Sequence, residues 1–191
     1  NRPSNQMKHI FRKLCGAACL AAVMIALPAQ AALDMFLDLG SGIPGESTDS
    51  VHKDQVDVLA WSWGMSNSGS AQVGGGAGAG KVSVQDLSVT KYVDKSSPLL
   101  MLHCANGAHI AKATLYVRKL GATPVEYIKV IMTDVLVTSV STGGSGGEDR
   151  LTENISLNFA KVEFDYVPVD AKGTPGTAIQ FKWDIAGNAA L

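Results

Sequence analysis

The chain has 191 residues, 46% hydrophobic and 17% charged, with a formal net charge of −1 at pH 7. That charge lacks the basic excess by which nucleic-acid-binding surfaces announce themselves. The hydrophobic content is that of a folding domain, not of a disordered chain.

The first segment does not read as folded domain. Lys8, Arg12 and Lys13 follow Met7, and the apolar run from Leu14 to Leu27 comes next. Pro28 and the small-residue pattern Ala29-Gln30-Ala31 close it. This is the three-part layout of a secretory signal peptide, and a run of about 14 residues is too short to span a bilayer comfortably. Residues 1–31 are therefore expected to be upstream and leader sequence, and residues 32–191 a single domain with a real core. Without the leader the net charge moves from −1 to −5, because that segment carries four basic residues and no acid. Cys15 and Cys19 leave with it. Cys104 then stands alone, so no internal disulfide is expected. Neither nucleic-acid binding nor stable membrane insertion is expected of the remainder.

Period-two alternation dominates from there on. Leu33, Met35, Leu37 and Leu39 alternate with Asp34, Phe36 and Asp38. The turn-rich polar segment 40–55 follows, and it reads as a loop or as an arm that docks onto another copy. In the next strand Val56, Val58, Ala60 and Ser62 lie opposite Asp57, Leu59, Trp61 and Trp63. A glycine-packed tract then leads to Val82 and Val84, and the phase slips to Leu87 and Val89, which suggests a bulge or bend near Gln85-Asp86. Ser97 can cap a helix with Pro98 in its first turn, running from Leu99 to Asn106 and closed by Gly107. Ala113, Leu115 and Val117 make another strand, followed by a long β-branched run from Val125 to Val140. Ile155, Leu157 and Phe159, then Val162, Phe164 and Tyr166, form a strand whose phase changes at Ala160. Glu153 and Asp165 are expected on its solvated face. The last strand alternates Ile179, Phe181, Trp183 and Ile185 with Gln180, Lys182 and Asp184. Seven or eight short strands and one helix argue for a β-barrel or sandwich with a helix over one opening.

Three near-matches to catalytic motifs fail on context. Residues 75–82, GGAGAGKV, follow the P-loop pattern except that Val82 replaces the hydroxyl that would hold magnesium. A strand follows, where phosphate binding needs a helix N-terminus. Gly143-Gly144-Ser145-Gly146-Gly147 matches G-x-S-x-G, but a flexible loop leads into a strand instead of a strained strand-to-helix turn. His103 and Cys104 are adjacent on the helix and diverge by roughly 100°, and zinc needs three or four converging ligands. Cys104 reads as a small buried hydrophobe. No catalytic constellation, metal site or cofactor site emerges.

Three features point to assembly instead. Strands around Val56–Trp61 and Ile128–Val137 carry apolar residues on both sides, which suggests a second sheet or a neighbouring subunit. The 40–55 segment is long and polar. Ala60, Ser62 and Gly64 set small residues opposite two tryptophans, so the small side faces something smooth, a lumen or another sheet.

The segments LDMFLDLG from Leu33, Gly45-Glu46-Ser47, DVLAWSWG (57–64), KVSVQDLSVTKYVDKSSPLL (81–100), VEYIKV (125–130) and STGGSGGEDRLTENISLNFAKVEFDY (141–166) together resemble Hcp, the tube protein of the bacterial type VI secretion system. The likeness spans about residues 33–187. It implies a mainly β fold: a barrel of two packed sheets with one short flanking helix, assembling as a hexameric ring. Rings would stack into a tube inside a contractile sheath beneath a VgrG-like spike, and small effector proteins would ride in the lumen. No enzyme activity and no cofactor is implied. Assembly would take place in the cytoplasm and expulsion through the apparatus, while the leader-like residues leave periplasmic export as another route. Carried over by position, Gly45, Glu46, Ser47, Asp49, His52 and Lys53 would lie on an arm contacting a neighbouring subunit or ring. Ser62, with Ala60, would face the lumen and its cargo. The competing reading is an exported β-sandwich that binds a glycan or protein through its glycine-rich loops.

Overall fold

A computed structural model describes residues 33–68, 81–121 and 123–191. The leader-like residues 1–31, and residues 69–80 with most of the P-loop-like tract, lie outside the described residues.

Six strands close on themselves. In chain order they are β1 (Leu33–Asp38), β2 (Val56–Ser62), β5 (Leu87–Tyr92), β6 (His109–Lys119), β7 (Val125–Thr142) and β8 (Thr152–Tyr166). Neighbours around the wall run β8, β5, β2, β1, β6, β7, and the β7–β8 pairing shuts the ring; every neighbouring pair is antiparallel. Closure removes the unpaired edges that an open sheet would present. Two short strands, β3 (Met65–Asn67) and β4 (Val82–Val84), form a separate hairpin. β9 (Ile179–Asp184) pairs with the second half of β8, and β10 (Ala189–Ala190) pairs with β9.

The expected slip near Gln85-Asp86 marks a change of sheet. β4 belongs to the small hairpin and β5 to the barrel, and the link is held by Gln85 N–H to the Gly64 carbonyl at 3.0 Å and by Trp63 Nε1–H to the Gln85 carbonyl at 3.0 Å. The expected phase change at Ala160 is present. Glu153, Ile155, Leu157 and Phe159 point inward before it, and Val162 after it. The same inversion occurs in β7, between Met132 and Val135, and in β6, between Ile110 and Ala113. Register sets the residues at the inversion, Ala111, Asp134 and Ala160, side by side. Asp134 takes φ 56°, a left-handed backbone that few side chains adopt. At this level β8 also exchanges its neighbour, pairing with β5 over 152–157 and with β9 over 161–166. Three strands thus bend together at the level where β8 exchanges β5 for β9.

Helix α1 (Ser97–Asn106) packs against β7 through its buried Leu100. Gly107 ends it with φ 67° and an N–H to the His103 carbonyl, the left-handed stop that glycine permits. The start differs from the expectation. Ser96 is the N-cap residue, without a side-chain cap bond, and the Ser97 hydroxyl is taken up elsewhere. It donates to Glu153 Oε1 at 2.7 Å, and Lys91 Nζ donates to the same carboxylate oxygen at 2.6 Å and to Asp94 Oδ1 at 2.9 Å. Lys91 and Glu153 are both fully buried, so the solvated place expected for Glu153 is corrected. They face each other across β5 and β8, where the ammonium offsets a carboxylate that would otherwise be unpaired in the core. Asp165 is half-buried and accepts from Gln180 Nε2. Cys104 is half-buried against the core.

Candidate functional site

A bulge at Leu59 decides which way β2 presents its residues. Val58 pairs with Lys91 and Ala60 with Thr90, so the extra residue inverts the alternation between them. Val56 and Val58 are buried, Trp61 packs against the core, and Ala60 and Ser62 are exposed on the other face. The tryptophans do fill the protein side: Trp63 lies 6.4 Å from Phe164 and 6.2 Å from Phe159.

Strand register then builds a surface around Ser62. Ser62 pairs with Ser88, Ser88 with Ser156, and Ser156 with Ser139, giving one serine on each of β2, β5, β8 and β7. Leu87, Val89, Ile155 and Leu157, which flank Ser88 and Ser156 in sequence, are fully buried, so the serines lie on the outward face. One step along, Ala60, Thr90, Asn154 and Ser141 make a second row, with Thr90 Oγ1–H donating to Asn154 Oδ1 at 2.6 Å. At its border Asp86 accepts from Thr138 Oγ1 at 2.6 Å and Asn158 Nδ2 at 2.7 Å, which ties up its carboxylate. The eight side chains of the two rows are small, polar or apolar, and uncharged. Only Ser62 and Ala60 were picked out from sequence. The other six lie between Ser88 and Ser156 in sequence, and only register aligns them.

The 40–55 segment is folded onto its own barrel. Gly45 N–H reaches the Asp54 carbonyl at 2.7 Å, Ser47 N–H the Gln55 carbonyl at 2.9 Å, and Asp54 N–H the Ser47 carbonyl at 2.9 Å. Gly45, Ser47 and His52 are buried within the protomer, Asp49 is half-buried, and Glu46 and Lys53 are exposed. Asp49 accepts from Arg118 of β6 and from the N–H groups of Val51 and His52. Those bonds, led by the guanidinium, hold its carboxyl well below the usual carboxylate range. His52 stacks on Phe36 with ring centroids 4.4 Å apart and lies 4.7 Å from Tyr116. This accounts for Phe36, which alternation put on the outer face of β1 and which is buried under the loop.

A second apolar surface is left open. Ile179 is 65% and Phe181 37% exposed on β9, and Phe181, Trp183 and Met65 border a groove of about 580 Å³ between β9 and the β3–β4 hairpin. Among the described residues no group of three or more His, Cys, Asp or Glu could hold a metal ion, and no helix is long and apolar enough to cross a membrane. The described histidines bond Gln55, Ala108 and Asp134, not Ser145.

Comparison with known proteins agrees with this architecture. The family described as "Type VI secretion system effector, Hcp" matches over residues 36–166. Protein hcp1 of Pseudomonas aeruginosa is 56% identical over 159 residues, covering 82% of this chain and 98% of that protein. Among solved structures, a type six secretion system protein superimposes with a TM-score of 0.78 at 30% identity, covering 83% of this chain and 99% of that one. Hcp1 from Salmonella typhimurium does so with 0.69 at 38% identity, covering 84% and 99%. A match spanning most of the barrel, with more than half of the aligned residues identical to one relative, places this chain in the Hcp family of the type VI secretion system.

Proposed function

We propose that the chain is a structural tube subunit: protomers join as hexameric rings, rings stack, and the row Ser62, Ser88, Ser156 and Ser139 faces the lumen together with Ala60. The observation that carries this reading is the uncharged, small-residue face spread over four adjacent strands of a closed barrel. Such a face offers no ionic hold on a passing protein and many short hydrogen-bonding groups. It suits transient retention of small effectors over tight, specific binding. Glu46 and Lys53, both exposed on the 40–55 loop, would meet a neighbouring subunit or ring, while Gly45, Ser47, Asp49 and His52 shape the loop that presents them. The exposed apolar strand β9 gives self-association a surface to cover.

The role so described is mechanical and involves no catalysis. Ring stacks would meet a contractile sheath outside and a VgrG-like spike at the tip, with assembly in the cytoplasm and release through the apparatus. Sizing the purified protein tests the proposal, together with negative-stain images of particles viewed end on. Rings of several times the protomer mass are expected. A strict monomer at all concentrations would overturn the tube reading and favour an exported binding module.

A further inference from the structure

Helix α1 is apolar on two faces, and none of its residues is Asp, Glu, Lys or Arg. Leu100 is buried beneath it, with Leu99 and Cys104 packed against the core. Pro98, Met101, Leu102 and Ala105 lie on the other side and are exposed, Met101 at 41% and Leu102 at 55%. Their spacing puts them on one stripe about 100° wide. A helix that is apolar outward as well as inward is ordinarily a covered one. The groove between β9 and the β3–β4 hairpin is a second uncharged surface. Met65, Val82, Phe181 and Trp183 give it apolar walls, and no charged side chain among the described residues lines it. The reverse face of β8 and β9 differs in kind, since Lys161 pairs there with Asp184 and Lys182 with Glu163.

We propose that the outer stripe of α1 on one protomer seats in the β9–hairpin groove of the next, where Met101 and Leu102 complete the apolar wall. Chemistry, symmetry and placement select a second copy as the occupant. Both surfaces lack charge, so each can be taken out of water by the other without stranding an ion. A ring contact is heterologous and joins two different patches of one chain, as a ridge and a trough are different. The uncharged rows run across β2, β5, β8 and β7 in that order. The β3–β4 hairpin continues from β2 at one side of the rows, and α1 packs on β7 at the other. With the rows turned to a lumen, those are the two sides that neighbouring copies meet. The contact rests on the ring reading above and adds which surfaces make it.

A benzophenone amino acid placed at position 102 of the intact protein tests the contact. Illumination of assembled rings should link it to β3 or β9 of another copy, read by peptide mass after mixing isotope-labelled and unlabelled protein. Leu102→Asp, at an exposed position, should leave the melting temperature of the protomer nearly unchanged. It should raise the concentration for half-assembly about tenfold or more, the scale of an interface hot spot. Met65→Ser, on the groove side, should shift assembly in the same direction, and the two changes together should cost less than their sum because they remove one contact. Rings that form but link position 102 elsewhere, or that tolerate Leu102→Asp, would overturn this contact and leave the tube reading standing. A parent chain that stays monomeric at every concentration would overturn both.

Discussion

Burying Lys91 with Glu153 takes two charges out of water at one spot between β5 and β8, and their mutual contact is what makes that tolerable. Removing one partner strands the other, which in buried pairs costs about 3–5 kcal/mol. Lys91→Met should therefore lower the urea midpoint steeply, toward the edge of a total stability of about 5–15 kcal/mol. Lys91→Met with Glu153→Leu should regain most of that loss, because an apolar pair of similar volume is often neutral. A double variant as unstable as the single one would mean that the pair matters chiefly through Asp94 and Ser97. Gly45 is a residue whose value lies in what it lacks. A Cβ built there would sit 2.2 Å from the Gln55 carbonyl oxygen, a backbone atom that cannot turn aside. Gly45→Ala should open the loop base at a cost of about 1–3 kcal/mol, seen as lost protection at Gly45, Ser47 and Asp54 while the barrel amides stay protected. Equal loss across the barrel strands would show that the loop is integral to the core.

The bend shared by β6, β7 and β8 shows which elements could be read from sequence and which could not. In β8 the inversion is written as a three-residue step between Phe159 and Val162, and it was legible. In β7 the same inversion lies inside a run apolar and β-branched on both faces, so no phase could be read there. The cap expected at Ser97 is not made, because the Ser97 hydroxyl bonds Glu153, more than fifty residues away in sequence. The 40–55 loop was recognisable as long and polar, but the groups that pin it, Phe36, Tyr116, Arg118 and Glu126, come from three separate strands. Likewise Ser62 was visible as a small residue beside tryptophans, whereas the row it belongs to exists only after register aligns four strands. At the centre of the bend, Asp134 holds a positive φ and accepts His109 Nδ1 at 2.6 Å. A β-branched residue resists that backbone by about 1–3 kcal/mol. Asp134→Val should accordingly lower the melting temperature, whereas Asp134→Gly should change it little. Equal losses in the two variants would place the stabilisation in the His109 bond instead of the backbone.

At the scale of the whole molecule, the six-strand wall has no edge of its own for a strand to join, and free edges are confined to the attached strands β9–β10 and the β3–β4 hairpin, so assembly through the barrel wall must use faces. The barrel and its attached strands offer two kinds: the apolar surface of β9, suited to lasting contact with another copy, and the uncharged rows on β2, β5, β8 and β7, suited to a passing one. If the rows line a lumen, a single substitution repeats around each ring, and its effect on cargo is multiplied while its effect on the barrel is not. Ser62→Arg sets a long cation on an exposed face where no charge stands, and surface changes of this kind usually alter stability by no more than about 0.5 kcal/mol. Rings should therefore form as in the parent protein, judged by sedimentation and end-on images. Co-purifying effector should drop about tenfold, since desolvating an unpaired charge against a small protein costs on the order of 1–3 kcal/mol. Ser88→Arg, one strand over in the same row, should act the same way. Ser145→Arg, in the exposed glycine loop, should not. Intact rings that hold effector equally well with Arg at position 62 would move the cargo surface elsewhere, and loss in all three variants alike would point to added charge itself as the cause.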